Sequence, residues 1–209
     1  FDITEARAEA ASSYISFQMT VAGKMAAQKP PTTGKLAGAG VFAYVWPTSI
    51  DAGAAGFAPG SGILALAVTA HPDFDDTPLF DEDGDGDPAN DGADWHSHWV
   101  VLAKDAACGE AGLKVRDILP GEKLAVPPTH PGLPLLIDSP GYSPLISQGR
   151  LEVRAALGGG SHQGAGFDAV TAELTVNDKT AAPLLCVTRV HDIASGDLSL
   201  PGRIMAKTD

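Results

Sequence analysis

Two cysteines, 14 basic residues and 6% aromatics are all that these 209 residues hold of three informative classes, and no apolar run reaches the roughly 20 residues that cross a bilayer as a helix. Each scarcity excludes something. With 26 acidic residues against 14 basic ones, the net charge of −12 offers no clustered Lys and Arg to a phosphate backbone or an anionic lipid surface, so no nucleic acid is expected as a partner. No membrane span is expected either. Two cysteines permit at most one intramolecular disulfide, Cys108 to Cys186. A loop of 78 positions closed in this way is worth roughly 4 to 5 kcal/mol on the chain-entropy model, the alternative being two buried thiols. Also absent are a G-x-S-x-G elbow, a Walker loop, a G-x-G-x-x-G after a strand, H-E-x-x-H and C-x-x-C. No residue is thereby marked as catalytic.

What the chain does have is 24 Gly, 16 Pro and 44% hydrophobic residues, a composition that suits many short elements joined by turns around a real core. Ile15, Phe17, Met19 and Val21 alternate with polar residues at the period of a half-buried strand, and residues 4–9 alternate as well, which predicts a hairpin turning at Ala11 to Ser13. Further strands are expected at 41–46, 62–70, 95–103, 113–118, 150–157, 169–176 and 184–192. GILALAVTA at 62–70 lacks polar alternation and reads as a strand covered on both faces. Residues 119–148 carry seven prolines and read as an irregular excursion. The expectation is an all-β antiparallel sandwich, or a related barrel, as a single domain over residues 1–209.

The densest chemistry lies at 71–98. From Asp73 to Asp94 the chain has ten carboxylates and no Lys or Arg, a density that repels itself unless water or a cation compensates. Asp81, Asp83, Asp85 and Gly86 resemble the D-x-D-x-D-G start of calcium loops, in which alternate side chains converge on one ion and Gly permits the turn that brings in the next carbonyl, here of Asp87. The twelfth position is Gly92, where an EF-hand has Glu, and no helix flanks the loop. The resemblance is therefore to calcium loops between strands of extracellular proteins, with Asp91 or Asp94 as replacement acids. A solvated acidic turn is the alternative.

His96 and His98 are two apart on a predicted strand and so share a face, an arrangement that presents two imidazoles to zinc, copper or iron. If 62–70 and 95–103 form an antiparallel pair, His71 falls beside His96 and supplies a third ligand. His191 and His162 are reserve ligands, and His130, beside Pro131, reads as a loop residue. The competing reading is of polar residues hydrogen-bonded to the acidic loop. His96, Ser97, His98 and Trp99 are similar over four residues to the zinc-binding H-x-H-W of α-carbonic anhydrases, but no matching third His follows on a later strand.

Together these features point to a secreted or periplasmic metal-binding protein with a calcium loop and a zinc or copper site, an expectation that treats the FDITEARAEA start as a processed end. A second reading is a calcium-stabilised ligand-binding or interaction module. DOMON-like domains resemble the expected architecture, and that resemblance implies haem or sugar as ligand, with Met19 and a His as candidate haem contacts.

Overall fold

Alternation in the first twenty residues produces the predicted hairpin: β1 (Ile3–Ala10) and β2 (Ile15–Val21) pair antiparallel with Ala8 opposite Phe17. The computed structural model describes residues 1–31, 37–71, 94–177 and 183–207. The remaining strands are β3 (Gly40–Pro47), β4 (Ile63–Ala70), β5 (His96–Lys104), β6 (Leu113–Val115), β7 (Ile137–Asp138), β8 (Leu145–Ser147), β9 (Arg150–Ala155), β10 (Gly166–Phe167), β11 (Val170–Val176), β12 (Leu185–Ile193), β13 (Gly202–Arg203) and β14 (Met205–Ala206). The class is all-β, as the turn-punctuated sequence predicts. No helix among the described residues is long and apolar enough to cross a membrane.

The two layers differ in kind. One is a five-stranded sheet in the order β14-β1-β2-β9-β8. The other runs β4-β3-β11-β12-β6-β5 and closes through a β4–β5 pairing into a six-stranded antiparallel barrel. Closure leaves no free edge among these six strands. The Pro-rich excursion is mostly irregular, yet it supplies β7, which pairs with β5 through Asp138 opposite Trp99, and β8 at the edge of the sheet.

Strand geometry sends alternate side chains of the barrel to opposite destinations. Outward, Trp46, Leu64, Leu66, Val68, Trp99 and Val101 pack against Phe17, Met19, Leu151 and Val153 of the sheet. Phe17 sits with its ring centre 5.9 Å from Trp46 and 6.0 Å from Trp99. Inward, Val41, Ala43, Val45, Ala67, Val100, Leu102, Val170, Ala172, Leu174 and Val187 line the barrel. β4 is therefore covered on both faces, which explains its unbroken apolar sequence.

The two interiors are filled differently. Leu64, Leu66 and Val68 are 0% exposed, whereas Val45 and Leu102 on the inward face retain 8% and 9%. Small inward residues such as Ala43, Ala67 and Ala172 leave the middle of the barrel open, and a cavity of about 690 Å³ results. The barrel is hollow.

One seam of its wall is thin. β12 meets β6 at a single pair, Cys186 opposite Lys114. The expected disulfide is present, and it ties Cys186 to Cys108 in the 3-10 turn Ala106–Ala111, across that seam. Lys114 Nζ adds ion pairs of 2.8 Å to Asp105 and 2.9 Å to Asp117, and Asp117 accepts the Leu184 backbone N–H at 2.8 Å. Burial pulls the Lys114 ammonium down in pKa, but its two carboxylate partners together more than reverse this and hold it raised.

Candidate metal centre

Register between β4 and β5 builds the site. Thr69 stands opposite His96 and Ala67 opposite His98, so both imidazoles share the inward face with Val100 and Leu102. Ser97, Trp99 and Val101 turn the other way. His71 follows Thr69 by two residues and joins the same side of the wall, which confirms the antiparallel pairing on which its inclusion depended. All three histidines are buried, and one ligand nitrogen from each lies within 4.8 Å of the others.

The separations suit an ion. His71 Nε2 and His96 Nε2 are 3.1 Å apart, with the rings perpendicular. Two nitrogens bound at ~2.0 to 2.1 Å to one metal stand about 2.9 Å apart at a right angle and about 3.4 Å apart at the tetrahedral angle. The observed spacing falls between these values. His96 and His98 are also perpendicular, with ring centres 4.7 Å apart.

Outer contacts orient two of the rings. His96 Nδ1 lies 3.0 Å from the Asp94 carbonyl oxygen, which can only accept, so Nδ1 carries the proton and Nε2 presents its lone pair. His98 Nδ1 lies 3.1 Å from Ser139 Oγ, and the same tautomer directs its Nε2 to the cluster. Ser139 is held in turn, because its backbone N–H donates to Thr129 O while Thr129 Oγ1 donates to Asp138 at 2.7 Å. Burial raises the Asp138 carboxyl in pKa, and the Thr129 hydroxyl opposes this more weakly.

Two residues of the centre escape sequence reasoning. Ser139 lies 41 positions from His98 in the Pro-rich stretch and carries no motif. Thr69 is nine-tenths buried on the lumen wall beside His96, and its Oγ1 has no hydrogen-bond partner. Only the β4–β5 register reveals it.

Other candidates are engaged elsewhere. His191 pairs with Glu173 at 2.7 Å and stacks on Phe1, His162 bonds the Gly158 carbonyl, and His130 contacts Leu135 O and the Gly132 N–H. Met19 belongs to the core between sheet and barrel, across the barrel wall from the face that bears His96 and His98, so the structure gives it no place as a haem contact with them. The Asp94 carboxylate pairs with Lys29 at 2.8 Å. Asp81, Asp83, Asp85 and Asp87, the expected calcium ligands, lie outside the described residues, as does Asp91.

Comparison with protein-family models, curated proteins and solved structures finds no match. The functional reading therefore rests on the geometry of this chain.

Proposed function

We propose that this chain is an extracytoplasmic metal-binding protein in which His71, His96 and His98 hold one zinc or copper ion. The 3.1 Å separation of two imidazole nitrogens from neighbouring strands, each on the inward side of the barrel, is the observation that carries the reading. Three imidazoles without a thiolate suit zinc or copper, and a three-histidine set leaves a fourth position for water or another ligand. His98 and His71 line the hollow interior, so that position faces the lumen. Storage or delivery of the ion, or a simple metal-dependent reaction, would follow.

The disulfide across the barrel seam favours an oxidising compartment and supports a secreted or periplasmic location. Calcium at Asp81, Asp83, Asp85 and the Asp87 carbonyl belongs to the proposal on sequence grounds, and the net charge of −12 favours attraction of cations in general. Calorimetric titration of chelator-stripped protein with zinc and with copper tests the site. One equivalent is expected, and the double substitution His96→Ala, His98→Ala should weaken it by more than roughly a hundredfold, the upper figure for losing an outer contact alone, while calcium binding persists. Unchanged zinc and copper affinity in that variant defeats the proposal.

A further inference from the structure

The centre adjoins a space too large and too apolar to be explained by metal binding alone. The cavity of about 690 Å³ is in the range of pockets that enclose small organic ligands. Its middle is walled by Val, Leu and Ala side chains, and charged groups occur only away from that stretch, with Lys104 and Asp197 among the lining residues. Along β4 the lumen extends from Ile63 to Thr69, six residues or about 20 Å. It is a long apolar space with imidazoles at one end.

Two further observations mark the two ends. At the metal end, Thr69 Oγ1 is buried without a hydrogen-bond partner, and leaving such a hydroxyl unsatisfied costs free energy that a bound oxygen would recover. Leu198 and Leu200 line the other end, where β12 runs out beside the start of β4. Both hold left-handed backbone, with φ of 59° and 54°, a conformation that bulky residues rarely adopt and that marks functional segments more often than ordinary turns. The turn before them is fixed by Asp197, which accepts from the Ser199 N–H and from Ser195 Oγ.

We infer that the barrel lumen binds an elongated hydrocarbon chain ending in a carboxylate, with the chain lying between Ile63 and Ala67 and the carboxylate at the histidine end, one oxygen on the metal and the other accepting from Thr69 Oγ1. The chain follows from the apolar wall and its length. The carboxylate follows from charge, because three neutral imidazoles leave a bound dication uncompensated beside an apolar space, and an anionic oxygen offsets it. This second half rests on the proposed metal site. The first half does not.

Palmitate is the probe, titrated by calorimetry into zinc-loaded and chelator-stripped protein. One equivalent should bind to the zinc form, at least tenfold more tightly than to the stripped form. Thr69→Val should weaken palmitate by roughly tenfold or more without changing zinc stoichiometry, as expected for a lost hydrogen bond to a charged group. Ala172→Phe, which fills the lumen two strands away from Thr69, should abolish palmitate binding and keep one zinc per chain; if it does not fold, Ala172→Leu should show a partial loss. Zinc-loaded protein that fails to bind palmitate, or binds it equally well with the lumen filled, overturns the inference and leaves the metal site standing. Protein that takes up palmitate but no metal overturns the metal reading and the carboxylate end, and supports the chain-binding lumen.

Discussion

His98 and Ser139, 41 positions apart, are joined by a 3.1 Å contact between Nδ1 and Oγ that fixes which imidazole nitrogen faces the other two histidines. A metal site assembled from buried rings depends on such contacts, because an imidazole presenting the wrong nitrogen contributes nothing. Ser139→Ala should therefore lower zinc affinity by about tenfold while the fold is retained, with calorimetry reading the loss and far-ultraviolet dichroism the fold. An unchanged affinity would show that packing alone orients His98.

Each histidine has a stronger expected effect than its outer partner. His71→Ala, the substitution that leaves the H-x-H pair intact, should cost zinc affinity more than Ser139→Ala does, because it removes a ligand rather than a support. If zinc binds this variant as tightly as the parent, His71 is not a ligand and the site is a two-histidine pair.

The disulfide bears on the barrel itself. Because β12 and β6 share a single residue pair, Cys108–Cys186 and the Lys114 ion pairs carry the closure there. Cys108→Ser with Cys186→Ser should destabilise the protein by roughly 3 to 5 kcal/mol in urea denaturation. It should also weaken ligand uptake by the lumen before the sheet unfolds.

The pH dependence of stability has a contribution of definite sign from Asp138. Burial raises its carboxyl above the usual value of 3.8, so the folded state holds the proton more tightly than the unfolded chain. Its stabilising contribution is complete below 3.8 and is lost as pH rises through the higher folded value. Asp138→Asn should flatten that part of the stability profile and be neutral or stabilising at pH 7, as read by denaturation across pH. A carboxylate whose loss destabilises more at pH 7 than at pH 3 would contradict this assignment.

Much of this was legible in the chain. Period-two alternation located β1, β2, β9 and β11, and the unbroken apolar run at 62–70 correctly signalled a strand covered on both faces. H-x-H spacing placed His96 and His98 on one face, and the inferred hairpin brought in His71. The lumen was not legible, since an inward Ala172 and an outward Leu64 differ only in which layer they meet. Barrel closure depends on the β4–β5 and β12–β6 pairings, which are relations between distant segments. Ser139 and Thr69 escaped for the same reason, because their roles come from neighbours across the sheet rather than along the chain.

The central claim is that three buried histidines hold one ion, and elemental analysis by plasma mass spectrometry tests it most directly on protein purified without chelator or affinity tag and reloaded with zinc or copper. One transition-metal atom per chain, lost on substitution of His96 and His98, is the predicted result. No zinc or copper retained after reloading would contradict the claim and make the cluster a hydrogen-bonded element of the barrel end.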